Sequence, residues 1–285
     1  MLIASDLFPH DMNWDNYLKE INLPKIINFN DKNSSINLKQ KIVHDPNFSV
    51  DPNNKIPFPP EFDDLIRLHY LVCSRKVTTV LEFGVGKSTP VFGNALSSNK
   101  KNYYEFTIKE LRRGNLYECH SIDNSKEWIE KSKEIISPEL INLKFNNLHL
   151  SKVKVSEFCG KVCTYYDPLP NICPDLIYLD GPDQFSPIGD IRGLSTNHKD
   201  RMPMSADILA FEHFLQPGTL IVVDGRTANS RFLKSNLQRN WAYFHSPEWD
   251  QHFFELQETP LGIFNKRMIQ HCLGDEYFKR LDQGL

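Results

Sequence analysis

The chain changes character near residue 60. Before it, apolar residues are scattered among Asn, Asp, Lys and Pro with weak periodicity, and the pattern predicts one short helix around Trp14–Ile21. This stretch ends in the breaker-dense run Pro57-Phe58-Pro59-Pro60. Beyond it, Phe62, Leu65, Ile66, Leu68 and His69 through Val72 predict a helix leading into a first strand. From there apolar runs of strand length alternate with helical patterns, the signature of βαβ units and a parallel sheet. Strands are expected at Thr78–Phe83, Tyr117–Asp123, about Asn142–His149, Asp175–Asp180 and Thr219–Asp224. The last two carry the continuous apolar runs Leu-Ile-Tyr-Leu and Leu-Ile-Val-Val, as expected when helices cover both faces. A helix over Ser125–Ile136 starts at an Asn-Ser cap. Another, Met204–Leu215, aligns Met204, Ile208, Phe211 and Leu215 on one face and stops at Gln216-Pro217-Gly218. Finally, Trp241–Ser246 and His252–Gln257 flank a short connection, which joins antiparallel partners.

The expected fold is therefore doubly wound α/β, mostly parallel, with a C-terminal antiparallel strand pair. Residues 1–60 form an N-terminal extension that packs on the domain, covers a site or mediates oligomerisation; residues 61–285 form the α/β domain. The sequence does not choose among those three roles.

Composition narrows the function. With 285 residues and 40% hydrophobic content, the chain can bury a sizeable core. A net charge of -3 gives no broad electrostatic attraction to nucleic acid or to an anionic membrane. No apolar run is long enough to span a bilayer, and Met1–Trp14 carries Asp6, His10 and Asp11 where a signal peptide needs apolar residues. A cytoplasmic protein is expected, with a homo-oligomer left open. The six cysteines do not make a disulfide framework. Cys159, Cys163 and Cys173 lie near His149, but the C-x3-C spacing departs from paired C-x2-C zinc sites. Half-buried cysteines and no metal are the expectation.

The chemistry concentrates in Val80-Leu81-Glu82-Phe83-Gly84-Val85-Gly86-Lys87-Ser88-Thr89. A buried strand runs through a glycine pair into a helix expected over Ser88–Leu96. Such a turn lets a ligand approach the backbone, and the helix start offers unpaired N–H groups to an anion. A nucleotide-triphosphate loop needs a glycine where Leu81 stands, and a nicotinamide fingerprint wants a third glycine where Thr89 stands. Glu82, at the strand end, would repel a pyrophosphate but favour a cofactor bearing an ammonium and a sulfonium. Asp123 ends the second strand, where an acid can bind ribose hydroxyls or cap the next helix. It lies 37 positions beyond Gly86, against about 20 in the usual fingerprint, so an insertion is expected around Ser97–Asn115. The remaining acids are in Leu179-Asp180-Gly181-Pro182-Asp183 and Val223-Asp224-Gly225-Arg226. Ligands in such sheets bind outside the carboxyl ends of the strands, where Glu82, Asp123, Asp180 and Asp224 all stand.

In Glu82-Phe83-Gly84-Val85-Gly86, Asp123, the Asp-Gly-Pro after strand four and Pro217-Gly218 before strand five, the chain resembles the class I S-adenosylmethionine-dependent methyltransferases. The resemblance covers about Pro60–Thr259 and implies a Rossmann-like fold, an S-adenosylmethionine cofactor and a small-molecule or sugar-like acceptor. It implies cofactor contacts at Glu82, Phe83, Gly84, Gly86, Lys87, Ser88, Thr89 and Asp123. Asp180 is then the first candidate for general base or acceptor positioning, Asp224 the second, and His198 a further base. Arg192 or Arg201 in the segment Gln184–Pro203 could grip an anionic acceptor. Members that orient a catechol-like acceptor with a metal carry Asn after the strand-five Asp; here Gly225 follows, which argues against metal. Two other readings stand beside this one: a non-catalytic protein binding S-adenosylmethionine or a nucleotide, and a NAD-dependent enzyme.

Overall fold

A computed structural model describes residues 2–29 and 59–284. Seven strands form one sheet. They are β1 (Thr79–Phe83), β2 (Glu118–Asp123), β3 (Asn146–Leu150), β6 (Leu176–Leu179), β7 (Leu220–Asp224), β8 (Trp241–Ser246) and β9 (Gln251–Leu256). Their order is β3-β2-β1-β6-β7-β9-β8; the first five run parallel, and β9 pairs antiparallel with β7 and with β8. This is the doubly wound, Rossmann-like arrangement expected, with the reversal of strand order between β1 and β6. Every residue of β1 and β6 is buried, as expected for central parallel strands covered on both faces.

Helices α4 (Phe62–Ser74) and α5 (Ser88–Glu110) pack one face of the sheet, where Leu68, Leu71, Phe92 and Leu96 meet Val80, Tyr178 and Val222. α6 (Lys126–Ile135) begins at the expected cap: Ser125 Oγ accepts the Trp128 amide. On the other face Leu81, Phe83, Ile177 and Val223 meet Ile208, Leu209 and Leu233, which come from α8 (Asp207–Phe211) and α9 (Thr227–Asn236). The chain closes with α10 (Ile263–Gly284), kinked at Gly274. Among the described residues, no helix is long and apolar enough to cross a membrane.

Four sequence expectations are corrected. Ser97–Asn115 is not a separate insertion; α5 runs on to Glu110, since that stretch contains no Pro or Gly to stop it before Gly114. The third strand starts at Asn146, because Ser137 caps a short helix α7 (Pro138–Asn142). The helix expected over Met204–Leu215 shrinks to α8 and one 3-10 turn (Glu212–Phe214). Its first residues are recruited as extended chain: Thr164 N donates to Met204 O at 2.9 Å, and Ala206 N to Thr164 O at 3.0 Å.

The fourth correction matters most for the site. Between β3 and β6, where a helix usually makes the parallel crossover, the chain forms an antiparallel hairpin, β4 (Lys152–Phe158) and β5 (Lys161–Asp167). Cys159 (φ 48°) and Gly160 (φ 73°) make its two-residue turn, with the positive φ angles that match hairpin twist. Cys159 is consequently exposed and Cys163 buried, so these two are not the half-buried pair expected.

The described part of the N-terminal segment packs on the sheet domain. Leu7, at the end of α1 (Ala4–Leu7), and Phe8 enter the core beside Leu68 and Phe253. Leu18 of α2 (Trp14–Ile21), Leu23 of α3 (Leu23–Ile26) and Ile27 cover Phe62, Leu65, Ile66 and Val91. The α2 boundaries agree with expectation. Residues 57 and 58 of the proline run lie outside the described residues.

Candidate functional site

The carboxyl ends of β1, β2, β6 and β7 lie at the same end of the sheet, and the Gly84–Lys87 turn follows β1 there. Gly84 has φ 94°, and a Cβ there would lie 3.1 Å from the Asp180 carbonyl group and the Gly181 nitrogen. The two turns therefore touch backbone to backbone. The Gly84 amide donates to Ile122 O at 2.8 Å, and the Asp180 amide to Phe83 O at 2.9 Å, so the sheet ladder continues into both turns. Gly86 is different in kind: a Cβ there meets no described atom within 4 Å. The open face of the turn is thus at Gly86, where a ligand can approach the backbone at the start of α5.

Glu82 does not face that opening. It is fully buried; Thr89 Oγ1 donates to its Oε2 at 2.8 Å, and Ser88 Oγ donates to its Oε1. Burial pushes its pKa up to about 7, against hydrogen bonds from Ser121, Ser88 and Thr89. The sequence reading expects Glu82 at a cofactor's ammonium; in this structure the acid fastens the first turn of α5 to the strand. Thr89 also accepts the Gly86 amide at 3.1 Å, so its hydroxyl closes the turn where a third glycine would permit close packing. Phe83 is likewise fully buried and packs on Tyr166 at a centroid separation of 5.6 Å. Lys87 is half-buried at the helix start, and loss of hydration lowers its pKa.

Asp123 serves as a cap for the turns on either side of it. Oδ1 accepts the Ser125 amide at 2.7 Å, and Oδ2 accepts the Val85 amide at 3.0 Å. Each carboxylate oxygen keeps a second lone pair, so these bonds leave capacity for ligand hydroxyls. Burial raises its pKa, opposed by the amides of Ser125, Val85 and Asn124.

Asp180, with a side chain 53% exposed, stands just beyond the carboxyl end of β6. Arg226 ties down its turn: Nη2 donates to Asp180 O at 2.7 Å, Nη1 to Pro182 O at 2.9 Å, and Nε lies 3.5 Å from Asp180 Oδ1. Asp224 is half-buried and accepts the Tyr178 hydroxyl at 2.6 Å. Beside it lies an acidic group that sequence reasoning missed, Glu61, Asp63 and Asp64, whose carboxylates fall within 4.8 Å of one another. Arg67 Nη2 binds Asp63 at 3.0 Å and Asp64 closely, its Nε reaches Gln251 Oε1 at 3.3 Å, and its guanidinium sits 5.0 Å over the Trp249 ring. Burial, and then the nearby Asp224, push the Asp64 pKa upward. The two adjacent acids at the start of α4 were the available signal, but nothing local in the sequence places that helix against β7.

His198 is not brought to this cluster. Its half-exposed ring serves its own turn, with Nδ1 accepting the Asp200 amide at 3.2 Å. Arg201 likewise bonds Ser195 O at 2.9 Å. The segment around them is pinned to the hairpin, because Ile188 exchanges backbone hydrogen bonds with Val153 and Val155 at 2.9 Å each.

No family model matches the chain, and no curated protein matches it. Among solved structures, a Podospora anserina methyltransferase, PaMTH1, bound to SAH is similar over 70% of this chain and 80% of its own, at 14% identity and a TM-score of 0.38. The O-methyltransferase TomG of Streptomyces achromogenes, involved in tomaymycin synthesis and in complex with SAM, is similar over 70% and 81%, at 11% identity and a TM-score of 0.35. The fold assignment rests on the strand order and register above, not on these likenesses.

Proposed function

We propose that the chain is an S-adenosylmethionine-dependent methyltransferase acting on a small-molecule acceptor. The observation that carries this reading is the pairing of the open Gly86 turn with Asp123 at the switch between β1 and its neighbours. Lys87 and the first amides of α5 suit the cofactor's α-carboxylate. Asp123 suits its ribose hydroxyls, and the bare backbone at Gly86 admits the chain between them. Thr89 occupies the position a dinucleotide fingerprint gives to glycine, and its hydroxyl is engaged with Glu82 and Gly86.

Methyl transfer from a sulfonium is an in-line displacement, so positioning supplies most of the rate. In this reading Asp180, just beyond β6 and steadied by Arg226, takes the acceptor's proton or orients it. Asp224, joined to Tyr178, shapes the acceptor side. His198, on a solvent-facing turn, has no part in the step.

Calorimetric titration of the purified chain with S-adenosylhomocysteine, with NADH as comparison, tests the reading. Micromolar binding of the first alone supports it. Binding of NADH alone, or of neither, overturns it.

A further inference from the structure

The hairpin that replaces the crossover helix carries Tyr166 to the contact between the two glycine turns. Its side chain is 4% exposed, its ring lies against Phe83, and its backbone amide is held by Asp207 Oδ1 at 2.9 Å. A Cβ on Gly181 would meet the Tyr166 hydroxyl at 2.6 Å and the Gly84 nitrogen at 2.8 Å, so the hydroxyl reaches the point where the β1 and β6 turns touch. Among the described residues, nothing hydrogen-bonds to that hydroxyl. The charged groups bearing on it are Asp123 first, then Arg226, Asp207 and Asp180.

A buried hydroxyl without a partner is costly, and folded chains satisfy nearly all such groups. This one sits at the contact of the Gly84 and Gly181 turns, within electrostatic reach of Asp123, on a ring packed against Phe83 and a backbone held by Asp207. We propose that Tyr166 is a cofactor-binding residue whose hydroxyl completes its hydrogen bonding on the ribose of the bound nucleoside, opposite Asp123. A phenol both donates and accepts, so it complements a ribose hydroxyl whose other partner is a carboxylate. Contact requires the Gly84 and Gly181 turns to part slightly, and neither turn has a side chain at the point of contact. This assignment rests on the cofactor reading above, and it gives the hairpin a role beyond connecting β3 to β6.

The test is Tyr166→Phe in the full chain. Binding of S-adenosylhomocysteine and of 5′-methylthioadenosine, which lacks the amino-acid portion, is measured by calorimetry, and the ligand-free melting temperature by scanning calorimetry. Loss of one hydrogen bond weakens both ligands about three- to tenfold. The ligand-free protein melts no lower than wild type, because the variant deletes an unsatisfied group. Unchanged affinity for S-adenosylhomocysteine overturns the assignment while leaving the cofactor reading intact. A lower melting temperature means the hydroxyl is structural and also overturns it. Weakening confined to S-adenosylhomocysteine overturns the ribose contact. If wild type binds neither nucleoside, the cofactor reading fails and this assignment fails with it.

Discussion

The Asp123 carboxylate and the Val85 amide, 38 residues apart in sequence, meet at 3.0 Å and lock the end of β2 to the glycine turn after β1. One side chain thereby fixes the shape of the loop, and in the reading proposed above it also binds the ligand's ribose. Asp123→Ala removes both the Val85 and the Ser125 bonds, so it lowers stability by about 1–3 kcal/mol and abolishes measurable nucleoside binding. Asp123→Asn keeps one acceptor oxygen and has a smaller effect on both. Urea unfolding beside calorimetry separates the two losses; unchanged affinity in the alanine variant would remove Asp123 from the ribose site.

The two glycines of the turn separate folding from binding. Gly84→Ala forces a side chain into positive φ against the Asp180 backbone and costs about 1–3 kcal/mol of stability. Gly86→Val meets open space, so the unfolding midpoint stays near wild type while S-adenosylhomocysteine affinity falls at least tenfold. Equal loss of stability in both variants would refute the distinction.

Glu82 and Asp207 predict how stability varies with pH. Burial raises both pKa values to about 7 in the folded chain, from ordinary values of 4.5 and 3.8. The folded state therefore keeps protons that the unfolded state releases first. Their contribution is complete below about pH 4, is lost as pH rises through 7, and changes little beyond. A tenfold change in proton affinity between the two states is equivalent to ~1.4 kcal/mol, so the unfolding free energy falls measurably between pH 5 and pH 8. Glu82→Gln and Asp207→Asn flatten that slope; a slope unaltered in the double variant contradicts the assignment.

Arg226 bridges the turns after β6 and β7. Arg226→Gln gives up its bonds to the Asp180 and Pro182 carbonyls, a loss of about 2 kcal/mol locally. Amide hydrogen exchange in residues 180–184 accelerates at least tenfold while the β1 and β6 amides remain protected. Uniform acceleration across the sheet would point instead to a global stability loss.

How much of this was legible follows from the range of each signal. The central strands were readable within a residue or two because a strand buried on both faces must be continuously apolar, as Leu176–Leu179 and Leu220–Val223 are. The α6 start was readable because Ser125 caps an amide three residues away. The β4–β5 hairpin was missed although buried Val153 and Val155 alternate with exposed Lys152 and Lys154; two alternating apolar residues are too short a run to stand out from a loop. The helix over Met204–Leu215 was overextended because helical spacing cannot reveal that Thr164, 41 residues earlier, pairs with Ser205.

By itself, the sequence determined the positions of the central strands, the glycine turn and the placing of acids at four strand ends, since each is written in residues close together along the chain. Which way those acids point was decided only in three dimensions. Ser88 and Thr89 turn Glu82 inward, Arg226 steadies Asp180 just beyond β6, and Tyr178 and the start of α4 surround Asp224. Tyr166 reaches the glycine contact only because the hairpin folds back across the sheet. A side chain's direction depends on the partners packing brings to it, and no local pattern of polar and apolar residues encodes them.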